Sequence, residues 1–136
     1  MIFVDTSVWS LAFRRRKPGS EEPAEARMLR DLIEADEEVG LPGIVLQEIL
    51  SGVREKAQFD RLQGALEGFP LILAAEQTHH EAARIANACR SKGVAVSAVD
   101  CLIAAMTIEH HAQLFTADRD FVYMAPHCAL HLFESE

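Results

Sequence analysis

Apolar positions along this chain recur in two rhythms. Short runs of consecutive apolar residues read as buried strands, and apolar residues three and four apart read as amphipathic helices. Ile2-Phe3-Val4 is the first such run and ends at Asp5. Val8, Trp9, Ala12 and Phe13 then fall at helical spacing, so a helix follows almost at once. Arg14 to Lys17, then Pro18-Gly19-Ser20, break it. A second helix is predicted from about Ala24 to Glu37, with Met28, Leu29, Leu32 and Ile33 on one face. Val39 to Leu41 reads as a short strand punctuated by Pro42-Gly43. A third helix carries Val45, Ile49, Leu50 and Val53 as its inward stripe, and a fourth runs from about Glu55 to Leu66 into a strand at Leu71-Ile72-Leu73.

The second half keeps the alternation. Thr78 and Glu81 form a T-x-x-E capping box for a helix ending near Lys92, with Gly93 as its stop. Ser97 caps the next helix, whose Val99, Leu102, Ile103 and Met106 make one apolar face. Leu114 to Thr116 and Ala129 to Leu132 are further strand candidates, with a short helix around Asp120 to Tyr123 between them. Short buried strands alternating with helices predict an α/β sandwich around a mostly parallel sheet. No repeat or linker interrupts the pattern, so residues 1–136 are expected to form one domain. In open α/β sheets, sites lie beyond the carboxyl ends of the strands. Asp5 and Asp118 both follow strands directly, and Glu48 and Asp100 arrive from helices packed nearby.

Composition narrows the function classes. The formal net charge of −8 argues against a passive nucleic-acid-binding module, because phosphate neutralisation usually supplies much of such binding. An acidic metal site accounts for part of the excess, and a negative surface also suits a basic partner protein. Three cysteines, Cys89, Cys101 and Cys128, are odd in number and lack C-x-x-C spacing, as expected of a reduced cytoplasmic protein. The N-terminus does not read as a signal peptide, and no apolar run approaches the roughly 20 residues of a membrane span.

Each acidic residue also has a structural explanation. Asp5 fits the N-cap of the helix that follows, and Asp100 lies in the capping-box-like Ser97-Ala98-Val99-Asp100. Glu48 fits a solvated helical position, and Asp118 and Asp120 fit turn formers. The surroundings of Glu48 and Asp100 weigh against that reading. Both sit in strongly apolar helices, where a carboxylate near the core is costly without a partner. Brought together, the four carboxylates raise one another's pKa, and a hard divalent cation resolves the conflict. Carboxylate-bound Mg²⁺ or Mn²⁺ is common equipment for phosphodiester hydrolysis.

Other polar clusters are weaker signals. Arg14, Arg15, Arg16 and Lys17 fit either a solvated helix end complementing the dipole or a phosphate-contacting loop, and Arg119 beside Asp118 is a further candidate for phosphate. His127 and His131 flank Cys128 in a segment that reads as a strand, which spreads the rings too far for one zinc ion. The pairs His79-His80 and His110-His111 fit helix surfaces. No G-x-S-x-G, P-loop or G-x-G-x-x-G occurs, and Ser7 stands where a haloacid-dehalogenase phosphatase would carry its second Asp.

Four segments together resemble the motifs of PIN-domain ribonucleases in order and spacing. They are Val4-Asp5-Thr6-Ser7-Val8-Trp9, Leu46-Gln47-Glu48-Ile49-Leu50-Ser51-Gly52, the run from Ser97 to Ala105 around Asp100, and Thr116-Ala117-Asp118-Arg119-Asp120-Phe121. The length is similar to that of VapC-type toxins of toxin–antitoxin pairs. The resemblance implies a PIN-like three-layer α/β/α sandwich with a central, mostly parallel sheet of four to five strands. It implies endoribonuclease activity dependent on one or two Mg²⁺ or Mn²⁺ ions, with Asp5, Glu48, Asp100 and Asp118 as metal-binding carboxylates and Asp120 as an added acidic neighbour. Thr6, Ser7 and Thr116 would orient those carboxylates. It also implies a cognate VapB-like antitoxin, an RNA substrate and a homodimer. The apolar faces around Trp9, Phe13, Met28 and Leu32 are candidate walls of an antitoxin groove, and equally fit an ordinary core. Two other readings stay open: a PIN-type nuclease of RNA maturation or decay, and a catalytically silent PIN-fold binding module.

Overall fold

In a computed structural model, which describes residues 1–134, four parallel strands form one sheet in the order β3-β2-β1-β4. β1 is Ile2–Val4, β2 Val39–Pro42, β3 Leu71–Ile72 and β4 Gln113–Phe115. Seven helices flank the sheet among the described residues: α1 Thr6–Phe13, α2 Ala24–Glu34, α3 Gly43–Leu50, α4 Lys56–Leu66, α5 Glu76–Ser91, α6 Ala98–Glu109 and α7 Arg119–Met124. A 3-10 turn, Ala125–His127, follows α7. None of these helices is long and apolar enough to cross a membrane.

β1 is the pivot of the topology. It pairs with β2 through Ile2–Val39 and Phe3–Gly40, and with β4 through Ile2–Gln113, Phe3–Leu114 and Val4–Phe115. The chain therefore runs outward on one side of β1 and returns to the other side at β4. That reversal opens a crevice at the carboxyl ends of β1 and β4, where α/β sheets place their sites. Phe3 and Val4 are fully buried, as are Leu114, Ile103 and Phe121, so the pivot lies at the centre of the core. Gly40 is sterically required there, because a Cβ on it would stand 2.7 Å from the Phe3 ring.

Helices too short to persist alone are held by packing. The eight-residue α1 buries Val8 and Trp9, and the Trp9 indole donates to the Val4 carbonyl at 3.1 Å. The six-residue α7 buries Phe121 and Met124, and removing an aromatic side chain such as Phe121 typically costs about 3–5 kcal/mol. α1 packs against α2 and α3, and α5 against α6.

Several boundaries differ from the sequence expectation. α2 stops at Glu34 rather than near Glu37, because Asp36 takes a left-handed φ of 58° and its amide folds back onto Ile33. α3 ends at Leu50, so Val53 lies beyond its stripe, past Gly52 at φ 85°. α5 begins at Glu76 with Ala75 as its cap, so Thr78 is not the N-cap. Its Oγ1 instead accepts the Ala75 amide at 3.0 Å and donates to Glu109. The expected strand Ala129 to Leu132 is reduced to a single parallel bridge between Leu132 and Leu114, flanked by two backbone hydrogen bonds to β4. His127 and His131 accordingly do not share a strand.

Candidate active site

Asp5 is the deepest of the acidic residues, only 5% exposed. Its backbone amide bonds to the Phe115 carbonyl at 2.9 Å, which ties the end of β1 to the end of β4. It caps α1, as its local sequence suggested. Oδ2 accepts the Ser7 amide at 3.4 Å, the Ser7 hydroxyl at 2.7 Å and the Thr116 hydroxyl at 2.9 Å. All three bonds fall on one oxygen, so Oδ1 is left without a protein donor among the described residues. Capping thus uses one oxygen of the carboxylate and leaves the other open among the described residues.

Ser7 and Thr116 also lock the loop after β4. The Ser7 hydroxyl accepts the Ala117 amide at 3.0 Å, and the Thr116 hydroxyl accepts the Asp118 amide at 3.0 Å. Asp118 then caps α7 by accepting the Asp120 amide on Oδ1 at 2.9 Å. Two hydroxyls therefore join Asp5 to the turn that aims Asp118 and Asp120. Ser7 and Thr116, expected as orienting residues, both hydrogen-bond to the Asp5 carboxylate.

Asp100 enters from the first turn of α6, whose N-cap Ser97 accepts the Asp100 amide at 3.1 Å. Its carboxyl pKa is raised from 3.8 to about 6. Burial is the main cause, and the charges of Asp118, Asp5 and Asp120 add to it against an opposing hydrogen bond from Ser97. Desolvation thus outweighs like-charge repulsion, which the sequence argument had put first. Asp100, Asp118 and Asp120 each bring a carboxylate oxygen within 4.8 Å of the others.

Glu48 stands apart from that trio. It is exposed on α3, and its Oε1 accepts the Thr6 hydroxyl at 2.8 Å. That bond carries it to the start of α1, one residue from Asp5. Asp120, the added neighbour in the sequence reading, lies closer to Asp100 and Asp118 than expected of an accessory residue.

The remaining candidates sit further out. Arg14, Arg15, Arg16 and Lys17 form an exposed loop after α1 and make no ion pair among the described residues. Arg119 is exposed on α7, with its Nε 3.5 Å from the Tyr123 hydroxyl and its guanidinium 5.8 Å from the ring centroid. Of the candidate groove walls, Trp9 and Leu32 belong to the core, while Phe13 is exposed and stacks on Trp9 at 5.8 Å. Met28 lines an open groove of about 580 Å³ that reaches the site at Thr116. Burial raises the thiols of Cys89, Cys101 and Cys128, so none is poised as a thiolate nucleophile.

Two site features escaped the sequence reading. Ser97 was recognised only as a cap, although its hydroxyl also acts on the Asp100 carboxyl. Tyr123, beside Asp120 on a second groove, carried no motif that would have marked it.

The sequence pattern of the PIN domain matches residues 2–125. Ribonuclease VapC11 of Mycobacterium tuberculosis is 34% identical over 127 residues, which cover 92% of both chains. Among solved structures, FitAcB from Neisseria gonorrhoeae superposes with a TM-score of 0.75 at 23% identity, covering 98% of this chain and 97% of that one. VapBC2 from Rickettsia felis, bound to a DNA fragment from its promoter, superposes with a TM-score of 0.74 at 18% identity over the full length of both chains.

Proposed function

Because the chain belongs to the PIN-domain family, among its VapC ribonucleases, we propose that it is the RNA-cleaving toxin of a toxin–antitoxin pair and that its carboxylate site works with Mg²⁺ or Mn²⁺. The single observation that carries the metal reading is the convergence of Asp100, Asp118 and Asp120 within 4.8 Å, linked through Thr116 to an Asp5 whose second oxygen has no protein donor among the described residues. The donor set fits a hard divalent cation, which prefers oxygen ligands and tolerates several carboxylates. Asp100, Asp118 and Asp120 would hold it, and Asp5, which lies outside that 4.8 Å group, would join through its second oxygen, with Glu48 at the edge of the site. When bound, such a cation supplies positive charge that offsets the charge developing on an attacked phosphodiester and makes nearby water more acidic.

The chain's own residues do the positioning. Ser7 and Thr116 fix Asp5 through one oxygen, which, among the described residues, leaves the other open for ligation. Thr116 also sets the turn that directs Asp118 and Asp120, so a single hydroxyl couples two sides of the site. Asp100 is half-buried and its pKa is raised to about 6, mainly by burial, so a nearby positive charge would favour its ionised form. No histidine belongs to this group, and proton handling falls to carboxylates. Arg14 to Lys17 and Arg119 supply exposed cations for the RNA backbone.

The partner chemistry follows from the same carboxylates. A cognate antitoxin of VapB type that inserts an Arg or Lys among them would displace the cation and silence the enzyme. An assembly of two such chains, each with its antitoxin, is the expected form. The deciding experiment compares total RNA after controlled expression of the wild-type chain and of Asp5→Asn, with cleavage ends mapped in each. Discrete new ends with the wild type, lost in the variant and in excess chelator, are expected. Equal cleavage by Asp5→Asn, or undiminished cleavage in chelator, would sink the metal-site reading.

A further inference from the structure

Resting on the ribonuclease reading above, we propose that Tyr123 is a specificity-determining residue, the platform on which an unpaired RNA base next to the scissile phosphate stacks, with Arg119 taking the adjoining phosphate. Tyr123 is the only tyrosine of the chain and is 53% exposed. It stands on α7, whose orientation is fixed by the buried Phe121 and Met124 on one side and by the Asp118 cap on the other. A groove of about 500 Å³ runs past it, lined by Val94, Val122, Pro126 and His127 and reaching Asp120 at one end. That volume lies within the roughly 300–1,000 Å³ of small-ligand pockets. Asp120 belongs both to this groove and to the carboxylate trio, so the groove adjoins the candidate site at that residue.

Chemistry selects the occupant. With a net charge of −8, counterion release gives this chain little of the affinity that basic RNA binders enjoy. Stacking on an aromatic ring contributes about 1–3 kcal/mol per base without any positive charge, and differences in stacking strength among the bases give it a modest base preference. The exposed Val122, at 45%, widens the apolar surface beside the ring. Arg119 lies against Tyr123 by contacts at the outer limit of useful geometry, 3.5 Å to the hydroxyl and 5.8 Å to the ring centroid. It makes no ion pair among the described residues, so its guanidinium is available to a phosphate while the ring restrains it.

Binding of a fluorescently labelled pool of short, randomised single-stranded RNA, followed by anisotropy in an Asp5→Asn background that does not cleave, tests the platform directly. Tyr123→Ala is expected to weaken binding roughly 10-fold, and Tyr123→Phe to keep it, because the ring is what the base meets. Arg119→Gln should weaken binding and flatten its salt dependence by about one phosphate contact. In the cleaving protein, Tyr123→Ala should level the base preference at one position beside the cut. A Tyr123→Ala chain that melts like its parent yet binds the pool as tightly and cuts at the same positions overturns the proposal. Photo-crosslinking of RNA carrying 5-iodouridine to the unmutated chain is the second arm: a crosslink at Tyr123 supports the platform, and crosslinks elsewhere only overturn it. Failure of the ribonuclease reading looks different. The unmutated chain would then leave RNA uncut while Tyr123→Ala still lowers RNA affinity, and a chain that binds no RNA removes the platform as well.

Discussion

The floor of the site and its rim hold carboxylates by opposite means. On the floor, Asp5 is buried where β1 and β4 end, and three donors crowd onto one of its oxygens. Two of those donors come from Ser7 in the first turn of α1 and one from Thr116 just after β4, so the floor is tied to the ends of both strands. On the rim, Glu48 is exposed and held by a single bond from Thr6, and Asp120 projects from a helix of six residues. The difference teaches a division of labour. If the proposed site holds, a floor fixed by many bonds would set where charge is bound, and a rim held by few would be freer to adjust.

Breaking the floor should have the largest effect. Asp5→Asn keeps an oxygen for Ser7 and Thr116 and so keeps the fold, yet RNA cleavage should fall on the order of 100-fold or more, since a cation's charge stabilisation amounts to several kcal/mol. Circular-dichroism melts beside a cleavage assay check both halves. Next in size is Thr116→Val, which removes the bond to Asp5 and strands the Asp118 amide. Groups that orient ligands typically contribute 10–100-fold, and cleavage titrated with Mn²⁺ should show the loss as weaker metal dependence. A Thr116→Val chain with unchanged Mn²⁺ dependence would detach the floor from the turn that carries Asp118.

Rim substitutions should cost less. Glu48→Gln is expected to lower cleavage several-fold, and Thr6→Val, which frees Glu48 without removing it, less again. If Glu48→Gln matched Asp5→Asn in initial rate, the two regions would be equal partners and the contrast would fail.

The smallest effect concerns stability. Asp100 has a folded pKa near 6 against an ordinary 3.8, so between those values the native chain binds more protons than the unfolded one. Stability from this group is therefore greatest below about pH 4, falls as pH rises through 6, and stays lower above. In chelator, the melting temperature of Asp100→Asn should exceed that of the wild type by an amount that grows between those pH values and then levels. Added Mn²⁺ should narrow the gap at neutral pH by compensating the wild-type charge. A gap independent of pH would mean that Asp100 does not titrate in that range.

Much of the floor was legible in the sequence, because strand ends and helix caps leave local signatures. Asp5 after Ile2-Phe3-Val4, Ser97 three residues before Asp100, and Asp118 after Leu114-Phe115-Thr116 all follow from short-range rules. The rim was less legible. Whether Glu48 reaches the trio depends on a long side chain and on how α3 meets α1, which no local pattern encodes. Asp120 joins the trio because its amide folds back onto the Asp118 N-cap two residues earlier, which holds the two residues close together. Thr78 misled for a related reason: the same hydroxyl serves at a helix cap or three residues inside it, and only the Ala75 amide distinguishes the two. The bridge at Leu132 was overread as a strand because an apolar run does not reveal how many partners the sheet edge can offer.

The indole of Trp9 bonds to the carbonyl of Val4, the residue immediately before Asp5, and it is the only tryptophan in the chain. The protein therefore carries its own optical gauge at the base of the acidic site. Its ultraviolet emission comes from one address, shielded from solvent and one peptide unit from the carboxylate. A displacement of Asp5 along its strand and a loss of the core would alter the same light, but by different colours: a small change in intensity for the first, and a shift toward the red, as the ring meets water, for the second.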